Sequence, residues 1–452
     1  MSGDKGGGNV ETQRRGGAEA QSDVPDGFRD TPLGSLPEAW EVVQLGEVLT
    51  EVDKRVKDFG DGSAGDFPIL SLTKNQGLML QTERFRKRIA TEDVSEYKVV
   101  RCGQIVHNPY VIWEGAVHIL RSYETGLVSP VYPVWEVDPG KADPYFVDPL
   151  LRMPASIAAY NRFAAGAVNR RRAIRKTDFL SIEIPLPPLS EQRTIAYVLR
   201  AVQEAREATG RVIAATRELK RSLMHHLFTY GPVPVAQADR VELQETEIGL
   251  IPAHWEAVPL GSIQTATQYG LSLRGEQKGR VPILRMNNLS DGKIDISSLQ
   301  FVDLSEADFQ KFRLHKGDLL FNRTNSFELV GKTALFDLDG DFVFASYLIR
   351  VITDSTRCLP AFLNYYLNWE TTHIRLKTLA SRGVSQSNIN ATKLRGFAVP
   401  LPPLPEQFKI ARILSTVDAK IAAEEARRAA LDVLFHTLLH HLMTGKVRVP
   451  VS

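Results

Sequence analysis

The sequence predicts an α+β protein built as an internal repeat: two homologous globular halves, each followed by a long helix. Three observations carry this. "IPLPPLSEQRTIAYVLR" from Ile184 returns as "VPLPPLPEQFKIARILS" from Val399, 215 residues later. At that offset 20 of the 45 positions from Pro185 to Thr229 are identical without a gap, which marks a duplication. The same offset pairs "LPEAWEVVQLGEV" at Leu36 with "IPAHWEAVPLGSI" at Ile251, matching Trp40 to Trp255 and Gly46 to Gly261.

Residues 1–30 hold seven glycines and almost no large apolar side chain, so they are expected to stay a disordered tail. The first globular domain is expected over 31–184 and the second over 246–399. β-Branched, apolar runs such as "GLVSPVYPVWEV" and "DFVFASYLIRVI" read as strands. "PYFVDPLLRMPASIAAYNRFA" and "LPAFLNYYLNWETTHIRLKTLA" then read as helical. The prolines of "PLPPL" stiffen the exit from each domain. Ser190 can cap the helix that follows, Pro405 fits its first turn in the second copy, and Glu191 and Glu406 complement the helix dipole.

The junctions and long helices occupy 185–230 and 400–446, with a linker at 231–245. Ile195, Val198, Val202, Ala205, Thr209, Val212, Thr216, Leu219 and Leu223 recur at alternating spacings of three and four, as a coiled-coil seam does. The second copy has Ile410, Leu414, Val417, Ile421, Leu431, Phe435, Leu438 and Leu442, interrupted by Glu424 and Arg428. Each helix would span about 55 Å at 1.5 Å per residue, longer than a compact domain needs. Two matched helices in one chain most simply pair antiparallel, giving an approximate two-fold axis suited to a bipartite site on a duplex.

With 43% hydrophobic and 24% charged residues, the 452-residue chain has an ordinary globular composition; no apolar run reaches membrane-spanning length, and a cytoplasmic protein is expected. Cys102 and Cys358 lie far apart at non-equivalent positions, which supports neither a disulfide framework nor a zinc site. Net charge is only +2, but Arg162–Lys176 holds six basic residues and Thr371–Arg395 five, neither run with an acidic one. Both precede the repeated junction, and local clusters of this kind are what phosphate binding needs.

The doubled "PLPPLSEQ"/"PLPPLPEQ", the "LPEAW" and "IPAHW" openings and "KGDLLFNRTNSFELVGK" from Lys316 make the chain resemble the DNA-specificity subunit of Type I restriction-modification enzymes, over about Thr31 to Lys446. The resemblance implies two target-recognition domains, each reading half of a split, asymmetric site in double-stranded DNA. It implies helices that set the spacer and dock two methyltransferase subunits, which restriction/translocase subunits then join. It also implies a non-catalytic chain without cofactor, the methyl donor, ATP and Mg belonging to partners.

The residues agree with that implication. "HNPY" at His107 lacks the second proline of an amino-methyltransferase motif, and its repeat partner is "FNRT". "GKT" at Gly331 lacks the glycine five positions earlier that a phosphate loop requires, and reads instead as the start of a strand. His436 and His440 have the spacing of a metal pair, but the first copy has Arg221 in place of His436; contacts at the helix end are expected. For base readout the side chains to look for are Arg, Lys, Asn, Gln and Ser. In the first domain these are Lys74, Asn75, Arg170, Arg171 and Arg172, with Arg84, Arg86 and Lys87 for phosphates. In the second they are Arg285, Asn287, Asn288, Arg323, Asn325, Arg382, Ser385, Gln386 and Asn388. Two rival functions fit less of the pattern: a stand-alone bipartite DNA-binding regulator, and a helical adaptor without DNA recognition.

Overall fold

The structure, a computed structural model, describes residues 25–60, 67–85, 93–163, 173–382 and 387–450. The chain forms two compact units, Met1–Glu207 with Ala430–Ser452, and Ala208–Ala429. The first is made of two stretches of chain and the second of one. Each takes one half of each long helix, Leu189–Tyr230 and Leu404–Met443.

The two units are built on one plan. The first has a four-stranded antiparallel sheet in the order Leu49–Glu51, Val134–Val137, Ile105–His107, Val117–Ile119. The second repeats that order with Gln264–Tyr269, Leu348–Thr353, Leu319–Asn322 and Thr333–Leu335. A separate pair, Glu41–Gln44 with Glu183–Leu186, keeps its register at the offset of 215: Glu41 faces Leu186 as Glu256 faces Leu401. Both predicted helical stretches form, each as two helices, Pro144–Leu150 with Pro154–Phe163 and Pro360–Asn368 with Glu370–Thr378.

Each unit opens with a hairpin that the sequence reading placed in the tail or the linker. Phe28–Thr31 pairs with Gly34–Pro37, and Leu243–Thr246 with Gly249–Pro252. Thr31 and Thr246 close the turns through their hydroxyls, at 2.6 and 2.8 Å to the carbonyls of Gly34 and Gly249. The tail boundary therefore moves from 31 to Phe28, and the linker also carries a 3-10 turn at Val235–Arg240. The rest of the glycine-rich tail, residues 1–24, lies outside the described residues.

The repeated "EQ" has a structural cause. Gln192 is fully buried, donates to the carbonyls of Pro187 (2.8 Å) and Lys141 (3.1 Å), and accepts from the Asp143 amide (2.9 Å). Gln407 does the same with Pro402, Arg357 and Leu359. One amide side chain thus ties the proline strut, the helix start and the loop before the domain's own helices, meeting the requirement that buried polar groups be paired. The helices begin at Leu189 and Leu404, so Ser190 lies inside the first turn rather than capping it; its carbonyl accepts from Thr194.

Within each unit the helix halves pair antiparallel. In the first, Arg206 meets Asp432, and Ile195 and Leu199 share a core with Leu442 and Met443. In the second, Arg217 meets Glu425 and Lys220 meets Asp418, while Met224, Leu227 and Phe228 share a core with Ile410 and Leu414. The predicted seam needs correction: Val212 and Leu219 are exposed, and Thr209, Ile213, Thr216, Lys220, Met224 and Leu227 turn inward. Thr209 to Lys220, Ile213 to Met224 and Thr216 to Leu227 are steps of eleven, close to three turns of an ordinary α-helix. A nearly straight helix keeps those positions on one face, which a strict seven-residue repeat does not.

Candidate nucleic-acid interface

In the second unit the strand Leu319–Asn322 ends at a wholly buried Asn322, whose backbone bonds Lys332 and Gly331 close the loop between them. Gly331, at φ +92°, returns the chain into the strand Thr333–Leu335, so "GKT" closes this loop. Arg323 leaves at the sheet end, and Thr324–Asn325 pairs with Ser387–Asn388, which pairs with Ser381–Arg382. Four candidates separated by up to 65 positions, Arg323, Asn325, Arg382 and Asn388, thereby share one small sheet or its edge.

The Arg323 guanidinium lies 4.8 Å from the centre of the Tyr269 ring and donates to Ser346 O and Asn388 Oδ1, both at 3.3 Å. Asn388 donates onward to Thr324 Oγ1 at 2.7 Å. Tyr269 is placed there by Gly270, where a Cβ would come within 2.4 Å of the Phe344 and Ala345 carbonyl oxygens. Only glycine permits that approach. Ser385 and Gln386 lie outside the described residues, and of Arg382 only the backbone is described.

Arg285, Asn287 and Asn288 occupy a different turn, after the strand Val281–Leu284. Asn287 is exposed. Asn288 is a correction: it is buried, accepts from the Arg285 amide at 2.9 Å and donates to the carbonyls of Asp295 (2.8 Å) and Ser298 (3.0 Å). Its amide is spent on holding the turn. Arg285 also reaches Ser298 O, at 3.5 Å.

In the first unit the hairpin Leu70–Leu72/Leu78–Leu80 carries Lys74 and Asn75, both exposed, at a tip closed by Thr73 Oγ1 on Gly77 O at 2.9 Å. Lys74 forms an ion pair with Glu114, from the loop after the strand Ile105–His107. The Lys74 carbonyl accepts from His118 Nε2 at 3.0 Å. Arg84 is pinned to the same hairpin, donating to Leu72 O (2.8 Å) and lying over Phe85. Arg86, Lys87, Arg170, Arg171 and Arg172 lie outside the described residues.

Buried titratable groups around these loops are structural. Burial alone would raise the Asp148 carboxyl, but Arg152 and Arg121, in contact at 2.6 Å each, hold it well below the usual carboxylate range. Burial pushes His118 down to about 4 and His107 down to about 3. Neutral His107 accepts from Trp135 Nε1 at 2.8 Å, so the "HNPY" histidine serves the core. Burial likewise raises the Cys358 thiol to about 12, leaving it protonated.

Sequence reasoning missed the exposed tyrosines Tyr110, Tyr269 and Tyr347 beside these loops. A signal existed for one, because Tyr347 aligns with Tyr132 at the offset of 215. No helix among the described residues is long and apolar enough to cross a membrane.

Residues 252–432 match the family model described as the Type I restriction modification DNA specificity domain. A Methanocaldococcus jannaschii protein provisionally named the MjaX type I restriction enzyme specificity subunit is 38% identical over 207 residues, 45% of this chain and 49% of that protein. The MjaVIII specificity subunit of the same organism is 26% identical over 435 residues, 94% of this chain and 96% of that one. The chain thus spans about half the length of the first relative and nearly all of the second. The crystal structure of a Type-I restriction-modification system S subunit from M. genitalium shares the fold, with a TM-score of 0.57 at 15% identity over 89% of this chain and 96% of that one.

Proposed function

We propose that the chain is a specificity subunit of a Type I restriction-modification system and directs such a complex to a bipartite, asymmetric DNA site, each unit reading one half. The observation that carries this reading is the repeated sheet order with different loops at one equivalent strand end. After His107 the chain runs through Asn108–Glu114 to meet Lys74, whereas after Asn322 it runs through Arg323–Asn325 to meet Asn388. A shared scaffold with private loops gives two readers with two specificities.

The long helices set the gap between half-sites and dock two methyltransferase subunits. Tyr197, Phe408 and Val433, exposed along the helices, offer apolar side chains to such partners. The methyl donor, ATP and Mg sit on partner subunits, including the restriction/translocase subunits where they join; this chain is non-catalytic.

The test is a spacer selection. Seven helix-forming residues inserted between Ala214 and Ala215, and seven between Ala429 and Ala430, lengthen each helix by about 10 Å while nearly keeping its facing. From a library with randomised gaps, the complex is expected to select unchanged half-sites about three base pairs further apart. An unchanged gap sinks the spacer role, and selection of no sequence by the wild-type complex sinks the function in favour of an adaptor.

A further inference from the structure

The Arg323 group has a property that a phosphate contact does not need. A guanidinium carries five N–H donors. In Arg323 the two terminal nitrogens each spend one hydrogen on the protein, to Ser346 O and Asn388 Oδ1, and each keeps one. Both bonds are 3.3 Å, at the long end for N–H···O, so they orient the group without saturating it. The Tyr269 ring fixes its plane, and that ring is itself held because its hydroxyl accepts from the Ala391 amide at 2.9 Å. Asn388 is locked from the other side by its bond to Thr324 Oγ1.

We propose that Arg323 reads a guanine in the half-site of the second unit, and that Tyr269 and Asn388 are positioning residues that aim it; this rests on the DNA-reading function proposed above. Two donors, one left on each terminal nitrogen of an anchored guanidinium, suit two adjacent acceptors. In the major groove only guanine offers that pair, O6 and N7, whereas adenine presents one acceptor beside a donor. A phosphate can also take the fork, and the salt dependence of binding separates the two. A ring on one side and an amide on the other are the means of holding an orientation, which is what base reading requires.

The experiment is selection from a randomised duplex DNA library by the full-length chain, co-purified with Type I methyltransferase subunits. Arg323→Ala is expected to lower the preference for guanine at one position of one half-site by about 10- to 100-fold and leave every other position unchanged. Arg323→Lys keeps the charge and is expected to retain overall affinity while losing most of that preference. Tyr269→Leu is expected to weaken the preference at the same position, whereas Tyr269→Phe, which keeps the ring, is expected to weaken it less. A positional effect of this kind does not follow from general loosening, so the Lys and Leu variants decide the matter if Arg323→Ala melts early. Equal weakening on all sequences with a flatter salt dependence makes Arg323 a phosphate contact and overturns the guanine assignment, with DNA reading intact. No change in any variant overturns it too. If the wild-type complex selects no sequence, the function itself falls and this assignment with it.

Discussion

The indole Nε1 of Trp255 donates to Glu406 Oε2 across 2.9 Å, and the same bond joins Trp40 to Glu191 at 3.1 Å in the other unit. The repeated "W" and the repeated "E" are one joint, linking the start of a domain to the start of the helix that leaves it. What differs is the second side chain that meets the carboxylate. Glu191 receives Arg448 through two bonds of 2.6 and 2.8 Å, whereas Glu406 receives His254 at 2.8 Å.

Removing one member of the first joint leaves a charge or donor buried. Glu191→Ala is expected to cost about 3 kcal/mol, seen as a lower urea midpoint for the first unit, because the Trp40 indole and Arg448 both lose their acceptor. Glu406→Ala should cost less, since His254 makes one bond to its carboxylate where Arg448 makes two. Equal costs would show that Arg448 adds nothing.

Asn288→Ala separates a structural amide from a reading one. The two carbonyls of Asp295 and Ser298 and the Arg285 amide lose their partner, for an expected loss of about 1–3 kcal/mol in stability. The DNA sequence selected should not change. A relaxed base preference with unaltered melting would restore Asn288 as a reader.

Buried histidines predict an acid-sensitive first unit. An unfolded histidine protonates near 6.5, while burial holds folded His118 down to about 4. Between those values the unfolded chain binds more protons, so stability falls as pH drops from about 6.5 toward 4. His118→Gln keeps a side-chain donor for the Lys74 carbonyl but cannot titrate, so it is expected to flatten this window by up to about 1.4 kcal/mol per pH unit. Unfolding curves of both proteins at several pH values test it; parallel slopes would exclude His118 as the cause.

Gly445 is expected to tolerate no side chain. It lies at φ +68°, and an added Cβ would fall 2.3 Å from Pro37 Cγ, where the end of the second long helix docks on the first unit's core. Gly445→Ala should cost about 2–4 kcal/mol, combining left-handed strain with a clash. Gly249→Ala, also at positive φ but in open space, should cost about 1–2 kcal/mol. Thermal melts of the two variants measure the difference.

The duplication, both junctions and the two long helices were legible in the sequence because their causes are local. Prolines in "PLPPL", the glutamine that follows and an apolar period of three to four act over a few residues, and a repeat offset shows them twice. The long helix expected within 185–230 forms as Leu189–Tyr230. The Phe28 and Leu243 hairpins were also legible in principle, through Thr31 and Thr246, but glycine-rich and linker composition hid them. Only the tertiary structure decided which face of the helix is the seam, because Val212 and Ile213 are equally apolar and only the partner helix distinguishes them. Only it could separate the buried Asn288 from the exposed Asn287, identical neighbours whose difference is where two distant carbonyls lie. The group of Tyr269, Arg323 and Asn388 was out of reach for the same reason. Its members come from three remote segments, and they meet because of pairings such as Thr324 with Asn388, which are set by the packing of the whole unit and not by the residues on either side.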